Sequence, residues 1–418
     1  MEKLIIKGTN RLTGEVLVHG AKNGALPILA ASLLINGESV IHNCPDLSDV
    51  RASIKILEHL GCVCKRNGAT VTVDARYVNC SEIPDNLMRE MRSSIVFLGA
   101  IIARCSCAKL SSPGGCEIGA RPIDLHLSSL KELGAKIKEA HGCITCNTSG
   151  LKGCNIYIPI ASVGTTENII IAAATAKGTT RIFNAAREPE IVDLANFLNS
   201  TGAKIYGAGS SDVVIEGVET LHSTEHCVIP DRILTATYMS AIAITNGNGI
   251  IKGVCPEHIK AIVAEYERMG CEIKINNNEL RLIAPENLKR IKLLKTQYYP
   301  GFPTDAGPTL IATATKAKGT SIFVETIFEN RFKFAGELNR LGADIKVEGR
   351  TAVVEGGKLL TGARVKCTDL RGGAALMVAA LNSGGVTEIE EIQHIDRGYE
   401  QPQINLALLG ADIKRVRE

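Results

Sequence analysis

Tryptophan is absent from this 418-residue chain, and aromatic residues make up only 4% of it. A core with so few rings must be filled by Ile, Leu, Val and Ala. Neither sign of charge prevails: 47 Lys and Arg against 44 Asp and Glu leave a net +3. That balance lacks the basic excess or stripe of a nucleic-acid binder, so nucleic acid is excluded as a partner. Long apolar runs are also missing. Stretches such as Ile95–Ala103 fall well short of the roughly 18 to 20 residues that cross a bilayer. The opening Met1–Lys7 is too short and too charged for a signal peptide. A cytoplasmic chain without a membrane partner is expected.

What the chain does contain is 45% hydrophobic residues, 22% charged residues and 14 cysteines. These proportions are those of a folded globular protein, and the length predicts two or three domains. A disulfide framework belongs to small secreted chains, and a chain this long can bury a core without staples. Most of the cysteines sit at apolar positions of strand-like segments, as in Cys62-Val63-Cys64, and read as reduced core residues. Cys143-Ile144-Thr145-Cys146 is a lone CxxC with no second pair and no histidine pattern, so no metal site is expected there.

A repeat organises the chain. Glycine with similar neighbours recurs at Gly61, Gly134, Gly202, Gly270, Gly342 and Gly410, every 68 to 73 residues. Fixed-period self-similarity marks a supersecondary unit used repeatedly. Before Gly342, Phe334, Leu338 and Leu341 share one helical face, and the glycine supplies a left-handed C-cap. An alternating strand Ala343–Val347, a turn at Glu348–Arg350 and a strand Thr351–Val354 then form a hairpin. Upstream of each such helix lies a more apolar one, as in Leu26–Leu34, Ile169–Ala176, Leu310–Thr315 and Ala374–Leu381. Helices apolar all round must be buried. The predicted unit is βαβαββ with buried helices, and the fold class is α/β.

The sixth repeat stops after Ala411–Val416 without its closing strand, while Lys3–Lys7 is a strand without a repeat. Pairing the two gives two domains of three repeats each, 22–229 and 1–21 plus 230–418. The chain would cross between them near His19–Ala21 and near Ile229–Pro230. A crevice between domains is a favoured ligand site.

Polar residues stand just before several apolar helices: Lys22-Asn23, Arg92, Asp231-Arg232, Thr304-Asp305 and Asp369–Arg371. Helix capping explains Asn23, Asp231 or Asp305. It does not explain Lys22 and Arg371, whose charge opposes the helix dipole and instead suits an anion site. The segment Ser111–Asp124 is rich in Gly and Pro and reads as a lid or phosphate loop. It carries Cys116, a reactive thiol if Arg121 lies beside it, or else a tolerated surface cysteine. The turns His394–Glu400 and Ala185–Glu190 read by default as solvated.

Taken together, Gly20–Pro27, Pro113–Asp124, Ser162-Val163-Gly164, Asn184–Glu190, Phe302–Asp305, Glu325–Arg331, Thr368–Arg371 and His394–Tyr399 resemble the UDP-N-acetylglucosamine enolpyruvyl transferases (1-carboxyvinyltransferases) over essentially the whole chain. The resemblance implies a two-domain inside-out α/β barrel of six repeats. It also implies the first committed step of bacterial peptidoglycan synthesis, with no metal or organic cofactor. The shikimate enolpyruvyl transferases share that barrel but typically carry Ser-Lys-Ser where this chain has Ala21-Lys22-Asn23, and they lack the loop cysteine.

By the same resemblance Lys22, Arg121 and Arg397 clamp phosphoenolpyruvate, with Arg92 and Arg371 nearby. Asp305 is the candidate general base. Cys116 is the proton donor, the covalent carrier or a product-release residue, and the point of alkylation by fosfomycin. The nucleotide lies along Arg121, Pro122, Ile123, Asp124 and Leu125 and along Ser162, Val163 and Gly164. Ile327 makes a backbone contact, and Asn23 and Arg331 complete the substrate-binding set. The chain departs from the family pattern at Ala306-Gly307-Pro308, Lys333-Phe334 and Gly372-Gly373. A weakly catalytic, regulatory UDP-sugar-binding paralogue is the alternative.

Overall fold

The computed structural model describes residues 2–8, 11–111 and 123–417. These divide into two compact units, one of residues 2–8, 11–19 and 230–417, the other of 20–111 and 123–229. Each unit holds three four-stranded sheets of one pattern. In each, a short strand pairs parallel with a second strand and two antiparallel strands continue the sheet; these two form a hairpin in five of the six. Leu294–Lys295, Gly319–Val324, Thr351–Gly356 and Asp344–Glu348 form one example in that order.

The six repeat glycines all lie at positive φ, between 91° and 103°. At each, the glycine N–H and the following N–H turn back onto the last helical turn, as Gly342 does to Asn339 and Ala343 to Leu338. This double bond is the Schellman ending, which needs a left-handed residue and therefore favours glycine.

The terminal strands are exchanged in a way the repeat alone does not reveal. Glu15–Leu17 pairs with Asn248–Lys252, whereas Thr224–Cys227 pairs with Glu38–His42. Each of these sheets thus takes its first strand from a distant part of the chain. Glu2–Lys7 runs antiparallel to both Val386–Glu390 and Asp412–Arg417, with Leu4 opposite Ile389 and Ile6 opposite Ile413.

One long helix per repeat is buried on nearly every face. All of Arg232–Ile244 is buried, and so are Gly307–Ala314 and all but the first residue of Leu370–Leu381; the three pack against one another. Their Ala, Gly and Thr content permits this approach. In the other unit the backbone of Gly99 lies so close to Asn168 that an added Cβ would fall 2.4 Å from its Oδ1. No described helix is long and apolar enough to cross a membrane.

Candidate active site

In the unit containing residues 230–417, the chain enters the helix Gly307–Ala314 through a tight turn, Thr304–Ala306. Asp305 caps neither element. Its Oδ1 accepts from Arg331 Nη2 at 2.7 Å, and its Oδ2 from Arg371 Nη2 at 3.1 Å. The arginines are 2% and 3% exposed. The Asp305 side chain keeps 26%, so it is the wet end of a buried triad. A carboxylate accepts only, so Asp305 receives these bonds without giving up a proton of its own.

Arg331 also donates to Thr304 O at 3.1 Å. It is thus a buried support for the Asp305 turn. Arg371 divides its donors between Asp305 and Tyr399 Oη, the latter at 3.3 Å, and Tyr399 is fixed in turn by Thr237 Oγ1 at 2.9 Å. Burial raises the Tyr399 phenol above its ordinary value, so it stays neutral. Asp369 and Asp231 are true caps, accepting from Arg371 and Gly372 N–H and from Ile233 and Leu234 N–H.

The departures from the family pattern are linked in space. A Cβ at Gly372 would lie 2.8 Å from the Cβ of buried Phe334, and one at Gly373 would lie 2.7 Å from Ile395. A side chain at 372 would also fall 2.7 Å from Asp369 Oδ2, so any residue but glycine there requires its neighbours to shift. The turn around His394 is not the solvated loop expected. Ile392–Arg397 is a 3-10 helix with Ile392 and Ile395 buried, and Asp396 pairs with Arg415. Arg397 ends this helix. A cavity of ≈ 250 Å³ opens beside the Asp305 turn, walled by Arg232, Tyr299 and Pro303 among others.

In the other unit Lys22 opens the helix Lys22–Ser32, with Asn23 next to it. Lys22 is only 8% exposed, and Asp49 meets its Nζ at 2.7 Å, offsetting the charge that opposes the helix dipole. Ser162 caps the helix Val163–Ala173 by accepting from Thr165 N–H at 3.4 Å, which places Val163 and Gly164 in its first turn. Arg92 begins the 3-10 turn Arg92–Val96, and Ile123, Asp124 and Leu125 begin the helix Asp124–Glu132.

One residue that sequence reasoning missed ties these three places together. The fully buried Asn168 accepts from Gly99 N–H at 2.7 Å and donates to Ile95 O at 2.9 Å. Its amide also meets His126 Nδ1 at 2.8 Å. Since Asn168 Oδ1 is taken by Gly99, the amide nitrogen donates to Nδ1 and the neutral ring carries its proton on Nε2. Burial, and then nearby Arg92, push His126 down to about 4. A single Asn inside an apolar helix carries no periodic signal, so nothing in the pattern marked it.

Cys116, Arg121 and Pro122 lie outside the described residues. Several other thiols are buried, and burial pushes Cys62 and Cys271 up to about 12 and Cys146 to about 11. Cys143 and Cys146 share the strand Cys143–Asn147, where residues three apart point to opposite faces and cannot chelate together. Among the described residues no group of His, Cys, Asp and Glu is placed to hold a metal ion. The turn Ala185–Glu190 is also more buried than expected. Glu188 and Glu190 are buried beside Glu167, which burial and then those two carboxylates push up to about 8.

Comparison with known proteins adds to this geometry. The model of the EPSP synthase (3-phosphoshikimate 1-carboxyvinyltransferase) family matches residues 6–405. The chain is 52% identical over 416 residues to UDP-N-acetylglucosamine 1-carboxyvinyltransferase 2 of Caldanaerobacter subterraneus subsp. tengcongensis, covering 100% of both. It is 51% identical to UDP-N-acetylglucosamine 1-carboxyvinyltransferase 1 of Symbiobacterium thermophilum, covering 99% of this chain and 95% of that one. Among solved structures, the enolpyruvyl transferase NikO from Streptomyces tendae superposes with a TM-score of 0.90 at 26% identity, covering 99% of each chain. EPSP synthase from Acinetobacter baumannii, at 17% identity and a TM-score of 0.76 over 100% of each chain, shares the fold.

Proposed function

The chain belongs to the EPSP synthase family of 1-carboxyvinyltransferases, and from that premise we propose that it transfers the enolpyruvyl group of phosphoenolpyruvate to the 3′-hydroxyl of UDP-N-acetylglucosamine, releasing phosphate. This reaction begins peptidoglycan synthesis. The observation that carries the acceptor's identity is the 52% identity across the full length of a UDP-N-acetylglucosamine 1-carboxyvinyltransferase.

Phosphoenolpyruvate presents a phosphate and a carboxylate. Lys22, Arg121 and Arg397, with Arg92 and Arg371, hold these groups, and guanidinium forks suit both. The uridine diphosphate lies along Arg121–Leu125 and the capped helix start at Ser162–Gly164, where free N–H groups and the dipole favour anions. Asn23 and the backbone of Ile327 hold the sugar. Asp305 accepts the proton of the 3′-hydroxyl as its oxygen bonds to C2 of the enol. Cys116 delivers a proton to C3. The resulting tetrahedral intermediate loses phosphate and restores the vinyl ether, with protons returned to Cys116 from C3 and to solvent from Asp305. Arg331 and Arg371 hold the carboxylate of Asp305 in place throughout.

Acceptor choice is the test. Phosphate release from phosphoenolpyruvate is expected with UDP-N-acetylglucosamine and not with shikimate 3-phosphate. A chain that gains melting temperature on adding UDP-N-acetylglucosamine, yet releases no phosphate, is the regulatory paralogue instead.

A further inference from the structure

The segment Glu325–Arg331 grips the Asp305 turn at both of its ends. At the far end, Arg331 Nη2 holds Thr304 O and Asp305 Oδ1. At the near end stands Glu325, directly after the strand Gly319–Val324 and only 2% exposed. Its Oε2 accepts from the Thr304 hydroxyl at 2.8 Å. Its Oε1 accepts from Ile327 N–H at 2.7 Å and Phe328 N–H at 3.1 Å.

No described cation pairs with Glu325, although a buried carboxylate is expensive without compensation. Its three bonds supply that compensation and also impose a geometry. A carboxylate only accepts, so the hydroxyl of Thr304 and both amides must point at it. A neutral amide at this position could flip and reverse one bond; a carboxylate cannot. Resting on the reading above, in which Asp305 is the base and Ile327 touches the sugar, we infer that Glu325 is a positioning residue. It sets the distance between the base and the acceptor sugar through Thr304 on one side and Ile327 on the other.

The two arms act on different kinetic constants. Thr304 precedes Asp305, so losing that bond loosens the base and lowers kcat. Ile327 and Phe328 belong to the acceptor side, so losing their bonds raises KM for UDP-N-acetylglucosamine while leaving that for phosphoenolpyruvate alone. A misplacement of about 1 Å costs on the order of 10²-fold in rate.

Steady-state phosphate release by the full chain, assayed below the melting temperature of each variant, tests this. Glu325→Ala should lower kcat by about 10² and raise the KM for UDP-N-acetylglucosamine. Thr304→Val should lower kcat with an unchanged KM, and Thr304→Ser should restore it. Adding Glu325→Ala to Asp305→Asn should cost almost nothing further, because both act on one group. Glu325→Gln, which keeps the volume, replaces the alanine variant if that one does not melt cooperatively, and should show the same pattern more weakly. Wild-type kcat in a folded Glu325 variant, or losses that multiply with Asp305→Asn, would overturn the inference while leaving the function standing. Calorimetric titration with UDP-N-acetylglucosamine decides even if wild type releases no phosphate, which would defeat the functional reading. Weaker binding by the folded Glu325 variant than by wild type supports the acceptor arm, and equal binding refutes it.

Discussion

Replacing Asp305 with Asn removes one negative charge from between two buried guanidinium groups and changes little else in shape. Helix capping alone would make this change nearly silent, since Asn caps about as well as Asp. The structure rules that out, because Asp305 bonds to Arg331 at 2.7 Å and to Arg371 at 3.1 Å and caps no helix. Removing one partner of a buried ion pair costs about 3–5 kcal/mol. Water reaches Asp305, and Asn keeps one acceptor oxygen, so the lower end, about 3 kcal/mol, is expected here. For a unit of this size that lowers the melting temperature by roughly 6–12 °C. Turnover should fall further than stability explains, by roughly 10²–10⁴, because Asn cannot take the hydroxyl proton. Phosphate release measured well below the shifted melting point separates the two effects. Turnover within a few-fold of wild type would show that the base lies elsewhere. An unshifted melting temperature would show that the triad does not stabilise the fold.

Other consequences follow from burial and backbone geometry. Glu167 sits near 8 in the folded chain, raised from an ordinary 4.5, so the unfolded chain loses its proton first as pH climbs. Stability contributed by the protonated group is therefore present below about 4.5 and lost progressively up to about 8, at no more than about 1.4 kcal/mol per unit; Glu167→Gln should flatten the melting temperature over that window. Buried His126 works in the opposite sense, since the unfolded chain takes up a proton below about 6.5 while the folded ring stays neutral to about 4, so stability falls with pH across that interval. Gly410→Ala meets no atom within 4 Å, yet its φ of +103° strains any side chain, so unfolding in denaturant should show a loss of about 1–2 kcal/mol with an unchanged m-value. Fosfomycin, with UDP-N-acetylglucosamine present, should alkylate Cys116 and spare Cys62, Cys146 and Cys271, whose raised thiols hold little thiolate at neutral pH; peptide mass mapping reads the outcome, and a modified core cysteine with Cys116 intact would contradict it.

The repeats were legible because the Schellman ending demands a left-handed residue, so Gly61 through Gly410 appear at a fixed period. Burial of the long helices was legible because residues such as Ala374–Leu381 are apolar on every face. The strand exchange was not, since Glu15–Leu17 and Thr224–Cys227 are only three and four residues long and their partners lie far away in sequence. Within the candidate site, the sequence could mark Asp305 and Arg371 as charges near helix starts, and Arg331 only through the resemblance carried by Glu325–Arg331. It could not tell which arginine supports the carboxylate, because that depends on side chains from three separate segments. Glu325 and Asn168 escaped for the same reason: each acts through bonds across the fold, and neither breaks a local pattern that would call attention to it. The turns at 185–190 and 394–400 looked solvated from their charges alone, yet their apolar neighbours draw them inward.

Group transfer to one acceptor fixes the product stoichiometry. Phosphoenolpyruvate and UDP-N-acetylglucosamine are mixed with the full chain, free phosphate is followed, and the sugar nucleotide is weighed by mass spectrometry. One enolpyruvyl-bearing UDP-N-acetylglucosamine is expected for each phosphate released, and neither product when either substrate is withheld. Phosphate without the modified sugar nucleotide, or a bound sugar nucleotide that is never modified, would contradict it.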